Sequence, residues 1–161
     1  ISMARVAVVL VEARGFTAEG FARSHPGGRL GRRLLLLIDD VMHAGTQIPR
    51  SAPADLLRDA LLEMSRKGLG MTVVVDAADR VLGVFTDGDL RRALDRQVDL
   101  HSAHVTEVMT RNCKTIAPGT LAAEALRMMQ EYKINALPVV DCERTLLGVL
   151  NMHDLLRAGV L

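Results

Sequence analysis

Seven consecutive residues carry most of the chemistry in this chain of 161 residues: Thr86, Asp87, Gly88, Asp89, Leu90, Arg91 and Arg92. They follow a β-branched and aromatic run that ends at Phe85, so a strand is expected to give way here to a helix. The free amide hydrogens at a helix start attract an anion such as a phosphate. Thr86 adds a hydroxyl, and the Asp89 carboxylate can accept hydrogen bonds from two neighbouring sugar hydroxyls. Arg91 and Arg92 follow at once, in reach of phosphate or carboxylate oxygens. The same residues also meet a purely structural need. Thr86-x-x-Asp89 has the form of a capping box, in which each side chain bonds the backbone amide of the other residue, and Asn151-x-x-Asp154 is read as doing the same job later in the chain. His153, in the first turn of that later helix, can meet an anion when protonated, although a solvated histidine is the plainer reading.

Other candidates are weaker. His101-x-x-His104 is a close histidine pair in a polar stretch with no cysteine beside it, so no metal site is expected there. Cys113 and Cys142 lack C-x-x-C spacing and read as two reduced thiols. His25 lies in Ser24-His25-Pro26-Gly27-Gly28, where proline and glycines make a chain reversal. The net charge of +1 gives no overall field to draw nucleic acid or an acidic membrane. Aromatic residues make up 2% of the chain, three Phe, one Tyr and no Trp, which argues against a platform of rings for stacking bases. No apolar run approaches the ~20 residues of a membrane span, and no signal peptide is legible, so a cytoplasmic protein is expected.

The elements that must position these groups come from an internal repeat. Residues 52–93 align with 117–158 at an offset of 65 without gaps, and sixteen of the forty-two pairs are identical, where chance would give about three. Val41-Met42 matches Val108-Met109 at an offset of 67. In each copy Asp55 or Thr120 is a plausible N-cap to an apolar stripe at helical spacing. Two β-branched runs then form a hairpin, 71–75 with 81–85 and 139–140 with 146–150, and a second helix follows from Asp87 or Met152. The unit is βαββα. One copy buries too little surface to be comfortably stable, so two copies are expected to pack sheet to sheet about a pseudo-two-fold axis. The fold class is α/β (α+β), with Val, Ile, Leu and Met filling a core that lacks rings.

Tandem βαββα units containing Gly83-Val-Phe-Thr86-Asp87-Gly88-Asp89-Leu90 and Gly148-Val-Leu-Asn151-Met152-His153-Asp154-Leu155 resemble a CBS-domain pair, the Bateman module. The resemblance implies repeats over 38–98 and 99–161, self-association of two pairs into a dimer, and a regulatory nucleotide in clefts between the repeats. It implies ligand contacts from Thr86, Asp87, Asp89, Arg91 and Arg92 in one cleft and from His153 and Asp154 in the other. Lys67 and Thr72, which flank the start of a strand, are implied as contacts too, although Lys67 also reads as a helix-end cation favoured by the dipole. Asn151, Met152 and His153 depart from Thr86, Asp87 and Gly88, so the clefts should differ.

Residues 1–37 lie outside the repeat. Ala13-Arg-Gly-Phe-Thr-Ala-Glu and Ser-His-Pro-Gly-Gly-x-Leu-Gly resemble the C-terminal edge of the sugar isomerase (SIS) domain in arabinose 5-phosphate isomerases of the KpsF/GutQ type. That resemblance implies a remnant of a catalytic domain, with His25 as an active-site residue left without its partners. It further implies CMP-Kdo as a regulatory ligand, no required cofactor, and an inactive fragment. The alternative is a ligand-free dimerisation module.

Overall fold

The computed structural model describes residues 35–160. Leu57–Lys67 (α1), Met71–Val75 (β2), Val81–Thr86 (β3) and Asp87–Asp95 (α2) make the first repeat, preceded by the short strand Arg50–Ser51 (β1). The second contains Thr110–Arg111 (β4), Ala122–Tyr132 (α3), Ala136–Val140 (β5), Leu146–Asn151 (β6) and Met152–Arg157 (α4). α1 and both hairpin strands recur 65 residues on with identical bounds. The two hairpins are antiparallel with matching registers, Val73 opposite Val84 and Pro138 opposite Val149.

The repeats exchange their leading segments. β4 pairs with β3 of the first repeat, while His43 bridges Val149 of the second, so each sheet is extended by chain from the other repeat's approach. These crossings require glycine: a Cβ on Gly83 would lie 2.5 Å from the Thr110 carbonyl oxygen, and one on Gly148 2.8 Å from that of His43. Ile38 buries itself among Ala122, Leu126, Met129 and Leu155 of the second repeat, and Val105 among Leu57, Ala60 and Phe85 of the first.

That exchange corrects the expected caps. α1 and α3 start after Leu56 and Leu121, and neither N-cap uses its side chain. The Asp55 carboxylate instead accepts from the Ala52 amide at 2.8 Å, and the Thr120 hydroxyl donates to the Ala117 carbonyl at 2.6 Å. The first helical amides, Leu57 and Ala122, donate to the carbonyls of Ala103 and Leu36 from the exchanged segments, each at 2.8 Å. Tertiary backbone thus does what side-chain caps do elsewhere.

A third cluster lies between the repeats and contains Met71, Val73, Val75, Val81 and Val84 together with Val140, Leu146 and Val149. The hairpin tips join as well: Val81 N donates to Arg144 O at 3.0 Å and Leu146 N to Asp79 O at 2.9 Å. The expected sheet-to-sheet packing of two βαββα units is therefore present, with one shared core. Among the described residues no helix is long and apolar enough to cross a membrane.

Candidate functional site

Where β3 becomes α2, the chain turns from extended at Thr86 (φ −120°) straight into helix. Both halves of the capping box form: Asp89 N donates to Thr86 Oγ1 at 3.3 Å, and Thr86 N to Asp89 Oδ2 at 3.0 Å. Asp89 is 3% exposed and receives three more donors. These are the Thr86 hydroxyl at 3.1 Å, the Thr110 hydroxyl at 2.7 Å and Arg92 Nη2 at 2.5 Å. Spacing of three along the helix places Arg92 over Asp89, and its guanidinium also lies beside Gly88.

This corner is one wall of a cleft of about 580 Å³ between the repeats. Thr86, Asp87, Asp89 and Arg92 line it on one side, and Asn112, Cys113, Lys114, Tyr132 and Lys133 come from the second repeat. Three cations, Arg92, Lys114 and Lys133, surround a pocket whose carboxylates are Asp87 and the buried Asp89. Lys114 Nζ stands 4.3 Å from the centre of the Tyr132 ring, a cation–π contact. Burial raises the Cys113 thiol above the ordinary thiol range, against a smaller opposing pull from Arg144.

The remaining candidates fall elsewhere. Arg91 is exposed and does not line the cleft. Thr72 is fully buried in β2, its hydroxyl 2.8 Å from that of Ser51, so the expected ligand contact has no opening to reach through. Lys67 donates to the Thr46 carbonyl and lines a second, shallower cleft of about 470 Å³ with His43, Thr46, Gln47 and Arg66. His153 is exposed, and its amide donates to Asn151 Oδ1 at 2.7 Å. Asn151 therefore caps the second residue of α4, and no reciprocal bond from Asp154 closes a box as expected. The Asp154 carboxylate turns to His43 Nε2 at 2.6 Å, where Thr110 serves Asp89 in the first repeat. The two corners differ, as their sequences imply. His25 lies outside the described residues.

Lys114, Lys133, Asn112 and Tyr132 went unnoticed in the sequence because they stand on the second repeat, away from any motif. The repeat offset could have found Tyr132 and Lys133, which are the partners of Lys67 and Gly68. The expectation of a cleft without rings is corrected, since the one tyrosine of the chain is in its wall.

The CBS domain model matches residues 39–96 and 105–161. Arabinose 5-phosphate isomerase KdsD of Pseudomonas aeruginosa is 58% identical over 97% of this chain and 48% of its own length. The Escherichia coli K12 protein of that name is 55% identical over 96% of this chain and 47% of its own. The chain thus spans about half the length of the curated relatives it matches. The crystal structure of CBSX2 in complex with AMP superposes with a TM-score of 0.66 at 25% identity, covering 78% of this chain and 96% of that one. With two matched copies facing each other across a common core, the chain belongs to the CBS-domain family and carries a tandem pair of its domains.

Proposed function

We propose that this chain is the regulatory part of an arabinose 5-phosphate isomerase and that its first cleft holds an anionic nucleotide or nucleotide sugar, CMP-Kdo being the ligand. The parent enzyme interconverts ribulose 5-phosphate and arabinose 5-phosphate and so supplies Kdo for lipopolysaccharide. One observation carries the ligand reading: Arg92, Lys114 and Lys133 converge on a cleft that also holds a buried carboxylate and one ring. CMP-Kdo matches that wall by wall, with a ribose diol for Asp89, a phosphate and an acidic sugar for the cations, and a base for Tyr132. AMP in the CBSX2 neighbour supports a nucleotide in this fold.

Residues 1–37 are read as the end of the SIS domain. Moving a proton between adjacent carbons needs a positioned base and acid–base help with ring opening, which His25 alone does not provide. The isolated chain is therefore inactive on this reading, and the protein works in the cytoplasm. Titration calorimetry with CMP-Kdo, CMP and AMP tests the ligand, and a coupled isomerase assay tests the inactivity. Heat with AMP but none with CMP-Kdo rejects the sugar nucleotide, and turnover by the isolated chain rejects the remnant.

A second reading, self-association, draws on Leu62 and Leu94, 61% and 54% exposed on α1 and α2. Sedimentation of the chain and of a Leu62→Glu variant tests it: a dimer that becomes a monomer on substitution supports assembly through Leu62, and a monomer in both cases rejects it.

A further inference from the structure

Asp89 is already saturated. A carboxylate offers about four acceptor positions, and this one meets Thr86 N, Thr86 Oγ1, Thr110 Oγ1 and Arg92 Nη2. A sugar diol that needs two of those positions must therefore displace donors. Thr86 N is fixed by the strand-to-helix turn, while the two threonine hydroxyls can rotate away. Arg92 is the long, movable partner: its side chain is 65% exposed, against 3% for Asp89.

Displacing Arg92 has an electrostatic consequence. Hydroxyl groups replace its hydrogen bond and leave the buried charge of Asp89 without its cation, which is unfavourable in a desolvated site. The guanidinium, lying beside Gly88 at the start of α2, needs a new anion close by.

Resting on the ligand reading above, we propose that Arg92 is a gate: it occupies the diol site in the empty protein and yields it to ligands whose anionic group takes the guanidinium in exchange. A nucleoside monophosphate opens the gate, and the uncharged nucleoside does not. The second repeat has no such gate at its corner, because there Asp154 pairs with His43 Nε2 at 2.6 Å and, among the described residues, the equivalent arginine, Arg157, makes no ion pair with it.

The experiment is calorimetry on the whole chain with two probe pairs, AMP against adenosine and CMP against cytidine. In the unsubstituted protein the nucleotide binds at least about tenfold more tightly. In Arg92→Gln the nucleotide weakens while the nucleoside strengthens, so the preference collapses to within about threefold. Arg92→Lys, which keeps the cation on Asp89 and protects the fold, moves both affinities in the same directions by smaller factors. An arginine that only contacts the phosphate leaves nucleoside affinity unchanged in both variants, and that result overturns the gate. Equal binding of nucleoside and nucleotide to the unsubstituted protein overturns it without any variant. Failure of all four probes, and of CMP-Kdo titrated beside them, to bind any form overturns the ligand reading and the gate together, whereas tight AMP or CMP with unchanged nucleoside affinity removes the gate alone.

Discussion

Asp89 binds groups from three segments, the end of β3, Arg92 one turn further along α2, and β4, so it fastens the cleft as well as facing it. Thr86 and Asp89 were legible in the sequence under both the capping and the binding reading, and the structure realises the first. Lys133 was not legible, because its significance lies in its backbone. It ends α3 in the left-handed region (φ 55°), where the first repeat has Gly68 (φ 71°). A lysine is strained there relative to glycine, and what the position gains is an ammonium in the cleft wall. Lys133→Gly is expected to stabilise the chain by about 0.5–1 kcal/mol in urea unfolding while weakening nucleotide binding. Cys113 supplies a second check. Burial keeps its thiol protonated, so a thiol reagent at neutral pH should label exposed Cys142 first. The neutral thiol's contribution to stability is full below the ordinary thiol pKa and is lost as pH rises through the higher folded value. Ligand in the cleft should shield Cys113 and leave Cys142 unchanged, as mass spectrometry of the alkylated protein would read.

β-branched runs and the 65-residue offset located both hairpins and the four α-helices of the two repeats among the described residues. The hairpin strands are almost wholly buried, with Leu82 and Leu147 the exposed positions within them, and that two-sided burial is why they read as continuous β-branched runs. The starts at Asp87 and Met152 agree with the sequence reading, whereas those of α1 and α3 fall one residue later than expected because their first amides are capped by backbone from a distant segment, which leaves no local signature. The same exchange explains two glycines that otherwise weaken strands. Gly83→Ala forces a methyl against the Thr110 carbonyl, and it is expected to cost about 2–3 kcal/mol in unfolding free energy. Because β4 carries Thr110, the variant should also lose ligand affinity. An unchanged midpoint and unchanged binding would show that β4 does not cross β3 this closely.

For the whole molecule, the repeats are two halves of one core. Their shared cluster takes Val81 and Val84 from one and Val140 and Val149 from the other, and each helix pair packs on the other repeat's leading segment. Residues 99–161 alone should therefore lack cooperative thermal unfolding by circular dichroism, since they leave Ile38 and half the shared core behind. The repeat made this architecture legible, and only the three-dimensional pairing brings Lys114, Tyr132 and Lys133 opposite Arg92. Composition alone gave scarcely any rings and almost no net charge, yet the cleft concentrates the one tyrosine and three cations. Binding of an anionic sugar ligand in this cleft is read by titrating CMP-Kdo into the chain in a calorimeter. Saturable heat with one site per chain is expected, abolished by Asp89→Ala and accompanied by a raised melting temperature. No heat and no thermal shift with CMP-Kdo, CMP or AMP would contradict it.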